Sequence, residues 1–105
     1  MTNATHTPGP WRSDWQFIVA PDPAGVHQDI YIAEIAETDE DNRVAPSEQQ
    51  QANARLIAAA PDLLDALAYF YNIIHDYPSS IRKGYVKHAK DMAREALAKA
   101  KGGAI

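Results

Sequence analysis

Between Glu48 and Ile74 the chain sets Leu56, Ala60, Leu63, Leu67, Phe70 and Ile74 at intervals of 4, 3, 4, 3 and 4 residues. That spacing brings side chains onto one face of an α-helix. Ile57, Leu64 and Tyr71 recur at seven-residue intervals and widen the face. Ser47 is a suitable N-cap, since its hydroxyl can accept from a free N–H of the first turn, so the pattern predicts a helix over 47–77. Pro61 interrupts it. A proline has no N–H for the carbonyl of Ile57, so a kink or a break is expected there, with Asp62 and Asp65 in the turn that follows and the apolar register continuing across it. Tyr69 and Ile73 lie off the main stripe and are expected to add apolar surface that the rest of a small protein leaves uncovered.

Pro78, Ser79 and Ser80 end this helix and offer caps for a second one within 79–101, which Gly102 and Gly103 stop. Its apolar face, Tyr85, Val86, Ala89, Met92, Ala93, Ala96, Leu97 and Ala100, is rich in alanine and suited to close packing, so an antiparallel helical hairpin is expected. Before residue 37 the chemistry changes: WRSDWQFIVA and IYIAEIAE are rich in aromatic and β-branched residues and flank the turn-forming PDPAGVHQD. A β-region over 11–36 follows, either an antiparallel hairpin or a three-stranded meander with Trp11 to Asp14 as a short edge strand. Residues 1–10, with Pro8, Gly9 and Pro10, read as a flexible arm, and the charged run 37–46 as an acidic loop. The fold class is α+β in a single domain, for which 105 residues supply one core.

Charge divides the chain. Residues 1–78 hold three basic and twelve acidic side chains, whereas residues 79–105 hold seven basic and two acidic, for a net charge of −4. Such a split calls for internal complementarity or a charged partner. There is no cysteine, so disulfides and thiolate zinc sites are excluded. The most apolar stretch, Leu56 to Ile74, carries Asp62, Asp65 and Asn72 and would be costly in a bilayer, so no membrane span is expected. The five glycines lack phosphate-loop spacing, His6, His27, His75 and His88 lack metal-ligand spacing, and no serine sits in a GxSxG elbow. With no nucleophile, base and stabiliser in one constellation, the chain reads as a non-enzymatic binder without a cofactor.

Two surfaces are candidates for ligand binding. Lys83, Lys87, Lys90, Arg94 and Lys101 fall within roughly 60° on a helical wheel, beside the apolar face. This basic stripe is either a solvated flank or a seat for negative charge, from Asp62, Asp65 and Asp76 or from a small anion such as a nucleotide. A long nucleic acid is disfavoured by the acidity of the rest of the chain. The second candidate centres on Asn53, which projects toward the apolar side near Ile57 and needs partners there. It either ties the helix start to neighbouring backbone or, with Arg12 and Arg55, frames a polar pocket in which Trp11 or Trp15 is the stacking plane for a base or a guanidinium; alternatively both tryptophans are core and hairpin cover.

HTPGPW at 6–11 and NARLIAAAPDLLDAL at 53–67 resemble the paired motifs of small uncharacterised proteins encoded in tailed-phage and prophage genomes, which share the order Pro-Trp start, short β-region, helical segment. The likeness covers most of residues 6–70. It implies an accessory protein made in the host cytoplasm. An inhibitor of host antiviral defence would fit, acting as a homo-oligomer that sequesters a nucleotide signal or by occupying a host defence protein, for which the acidic loop 37–42 is suited. The alternative is a structural or regulatory assembly helper that uses its helical hairpin for protein contacts.

Overall fold

The computed structural model describes residues 6–35 and 48–103. Three strands, β1 (Arg12–Asp14), β2 (Phe17–Pro21) and β3 (Asp29–Glu34), precede three helices, α1 (Glu48–Ala58), α2 (Ala60–Asp76) and α3 (Lys83–Lys101). The Ser47 cap and the acidic loop lie outside the described residues.

The strands form an antiparallel meander in the order β1-β2-β3, so Trp11 to Asp14 do supply the third strand. Asp14 faces Phe17 across a two-residue turn, and Trp15 takes the positive φ of 58° that such a turn demands at its first position. Ile18 pairs with Ala33 but Val19 with Tyr31, so Ile32 is an extra residue that bulges β3. On the inner face Ile18 is wholly buried against Ala54 and Ala58 of α1, with Trp11, Ile32, Ile35 and Ile57 around them. Two alanines let α1 lie close on the sheet, which a two- or three-stranded ribbon needs to be stable. On the outer face Arg12 reaches across β2 to grip Asp29 with both Nη atoms, at 3.1 and 2.6 Å, and Phe17 stacks on Tyr31.

Asp22 organises the β2–β3 loop. Its carboxylate accepts from the backbone N–H groups of Ala24, Val26 and His27, at 2.9, 3.2 and 2.8 Å. These bonds, that from His27 foremost, hold the Asp22 carboxyl below its ordinary value; the Arg12 guanidinium does the same to Asp29. A carboxyl whose folded value is depressed stabilises the fold above its unfolded value, about 3.9, and that stabilisation disappears as pH falls through the lower folded value. Asp22→Asn is therefore expected to melt below the wild type at pH 6 and to converge on it as acid protonates the folded Asp22 carboxyl, in thermal melts over a falling pH series.

The helical half breaks where Pro61 was expected to interrupt it: α1 and α2 are separate helices bent by 46°, with the break at Ala59 and Pro61 in the first turn of α2, where its missing N–H costs nothing. The seam between α2 and α3 differs from the stripe expected. Ile73 and Ala66 of α2 are buried against α3, whose Ala89 and Ala96 are buried in turn. Tyr69 meets His88 edge-on at 5.1 Å, Asp62 accepts from Lys99 Nζ at 2.7 Å, and Tyr77 stacks on Tyr85 at 4.7 Å. Asp62, Ala66, Tyr69 and Ile73 thus make the intramolecular stripe, offset by about 100° from the predicted one. Tyr69 and Ile73 are not surplus surface. The helices adopt this face because its small residues allow close approach while the rims pair by ring contact and charge.

The ends of the hairpin are held by arginines. Arg82 donates from Nε to the Tyr77 carbonyl at 2.7 Å and from Nη2 to the Ile74 carbonyl at 3.0 Å, satisfying the open C-terminus of α2. Ser79 and Ser80 do not cap α3, which starts after Arg82 without a side-chain cap. At its other end Gly102 turns left-handed, φ 79°, and the N–H groups of Gly102 and Gly103 return to Lys99 and Ala98, a Schellman stop.

Candidate functional site

With Ile73 and Ala66 turned into the seam, the bulkier side chains of α2 are left outside. Leu67 is 69% exposed, Leu64 51%, Phe70 46% and Ile74 44%. Between them and α3 runs a groove of about 440 Å³ lined by Leu63, Ala66, Leu67, Phe70, Ala89, Lys90, Ala93 and Leu97. Lys90 at its rim is the one charged residue in that lining. Apart from Lys90 the lining is aliphatic and aromatic, and what such a surface offers is dehydration of another apolar surface. The opposite flank of the hairpin is charged, a hollow lined by Asp62, Asp65, Met92, Glu95, Ala96 and Lys99.

A second groove, of about 420 Å³, lies at the turn end of α3 between Ser79, Arg82, Lys83, Val86, Lys87 and Lys90. Three of the five cations of the predicted stripe, Lys83, Lys87 and Lys90, meet here. Arg94 does not; it points to Asp91 at 3.5 Å. Nor does Asp62 face the stripe, being taken by Lys99 on the other flank.

The remaining candidates are engaged separately. Arg12 is held by Asp29 on the outer sheet face. Trp11 is half-buried against the Ile18–Ala54–Ala58 core and donates from Nε1 to the Thr7 carbonyl at 3.0 Å, which makes it core cover. Asn53 is exposed, contrary to the buried amide expected, because the face of α1 that meets the sheet is that of Ala54 and Ala58. Arg55 lies over Gly102, where an added Cβ would stand 2.6 Å from Arg55 Cδ. Its guanidinium is thereby set beside the negative end of α3, and its buried Nε has no hydrogen-bond partner. Arg82 escaped sequence reading, although a cation a few residues beyond a helix end is the signal of such a cap.

Among the described residues no cluster of His, Asp or Glu could hold a metal ion, and no single helix is long and apolar enough to cross a membrane. α1 and α2 pass that test only together, across their 46° bend.

An antiparallel meander backed by one short helix, from which a helical hairpin projects with an exposed apolar face, defines a small α+β protein. A family model described as Salmonella phage P22 protein Y8K6 matches residues 1–104, and the chain belongs to that phage protein family. No curated protein and no solved structure matches it.

Proposed function

We propose that this chain is a non-enzymatic phage accessory protein that works by protein–protein contact through the bare face of its α2–α3 hairpin. The exposure of Leu67, Phe70 and Ile74 around an apolar groove carries the reading. Large aliphatic and aromatic side chains grouped on one face of a helix pair favour a contact surface over solvent. The geometry thus supports the assembly helper over the nucleotide pocket of Trp11, Arg12, Asn53 and Arg55, whose members have other partners. A host defence protein is one class of target for such a face. Capture from phage-infected cells is expected to yield a partner with the wild type and to lose it with Phe70→Glu, judged by mass spectrometry of the bound fraction. Equal capture by both proteins would sink the reading.

One observation favours a second reading. Lys83 and Lys87, with Arg82 and Lys90, surround the groove at Ser79, and such a cluster suits the phosphates of a nucleotide. Native mass spectrometry of protein purified from an infected host would reveal a nucleotide-sized adduct, lost on Lys83→Ala/Lys87→Ala; a clean mass removes this reading.

A further inference from the structure

We infer that the first occupant of the bare face is a second copy of this chain, seated so that α3 of each copy covers α2 of the other about a two-fold axis parallel to the hairpin. The inference rests on the contact reading above and names the partner. Four observations lead to it.

First, among the described residues the hairpin is a layer without a partner layer. The radius of gyration is 17.0 Å and the extents are 59 × 37 × 25 Å, against about 13 Å for a compact chain of this length. An apolar helix face requires another layer to bury it, and two such hairpins face to face make a four-helix bundle.

Second, the area suffices. The 17 residues of α2 extend about 25 Å, and a helix pair is about 20 Å wide. The face thus offers on the order of 500 Å² per copy, and two copies would bury about 1,000 Å², the size at which specific interfaces begin.

Third, only one flank is apolar. Asp62, Asp65 and Glu95 occupy the other, so association stops at a closed pair instead of growing into a filament.

Fourth, charge selects the orientation. The rim of the face is basic along α3, with Lys83, Lys90 and Arg94, and uncharged along α2, with Leu64 and Tyr71. Stacking α3 on α3 would oppose like charges. Stacking α3 on α2 lays lysine stems over Leu64 and Tyr71. Counted antiparallel, the Tyr69–His88 contact sets Tyr71 level with Val86 and the Asp62–Lys99 contact sets it level with Lys90, a spread of one helical turn that a lysine side chain spans. A two-fold axis parallel to the helices preserves height, so Lys90 of one copy comes over the ring of Tyr71 in the other, a cation–π arrangement.

The absence of cysteine makes a direct test available. With a short bis-maleimide, Tyr71→Cys/Lys90→Cys is expected to give a cross-linked dimer of twice 11.6 kDa, and Lys90→Cys alone is expected to remain monomeric on the gel. Native mass spectrometry should show the wild type as a dimer and Leu67→Glu as a monomer with unchanged circular dichroism. A monomeric wild type at high micromolar concentration, a dimeric Leu67→Glu, or cross-linking of Lys90→Cys alone would overturn the proposed dimer. If the wild type is monomeric yet Phe70→Glu still abolishes capture of another protein, self-association falls and the contact reading stands.

Discussion

Ile73→Ala is expected to lower stability by about 2–5 kcal/mol, the cost of emptying a buried aliphatic site that cannot fully collapse. Ile73 is 2% exposed on the same face of α2 as Tyr69, which meets His88 of α3; the alanines buried in the helix pair, Ala66, Ala89 and Ala96, have no side chain that could extend into a space left there. In a domain of about 100 residues each kcal/mol is worth about 4–8 °C in Tm, so the melting point should fall by about 8 °C or more. Leu67→Ala is the control. Leu67 is 69% exposed, and in protein dilute enough to be monomeric its truncation should cost less than about 1 kcal/mol. Thermal melts of the two variants side by side decide which stripe closes the hairpin. A larger loss from Leu67 would mean that the helices pack through the stripe read from periodicity and that the bare face is misplaced.

That contrast also marks how far the sequence was legible. The strands were readable because WRSDWQFIVA and IYIAEIAE are bounded by turn residues, and the helix ends because Pro61 and Gly102 act through backbone geometry alone. Which stripe of α2 faces inward was not. The 4-3-4 periodicity of Leu63, Leu67, Phe70 and Ile74 states that an apolar face exists; it does not state whether this chain or another molecule covers it. The true seam contains Asp62 and Tyr69, residues that a hydrophobic template discounts, and they are accommodated only because Lys99 and His88 lie opposite.

The candidate site was legible to a similar degree. Lys83, Lys87 and Lys90 share a groove because their i, i+4, i+7 spacing is local. The Trp11–Arg12–Asn53–Arg55 pocket depended on long-range placement, and there each member found a different neighbour: the core, Asp29, solvent and the end of α3. Arg55 shows the reason. Its neighbour Gly102 is 47 positions away, a separation about which a helical wheel is silent.

Gly102→Ala is the second large effect expected, about 2–3 kcal/mol, and it has two sources. At φ 79° any side chain incurs the left-handed penalty of roughly 1–2 kcal/mol. The added methyl would also run into Arg55, whose Cδ and Cζ lie 2.6 and 3.0 Å from its position, so the guanidinium must withdraw from the end of α3 and α1 loses its hold there. The two sources separate in a double-mutant cycle. In an Arg55→Ala background the collision is gone and only the backbone penalty remains, so Gly102→Ala should cost about 1 kcal/mol less than in the wild type, within the range seen for residues in contact. Strictly additive losses in urea melts would mean that Arg55 does not rest on Gly102. Coupling would establish Arg55 as the strut between α1 and α3, and would explain why an arginine on a helix face otherwise packed with alanine serves the fold instead of a ligand.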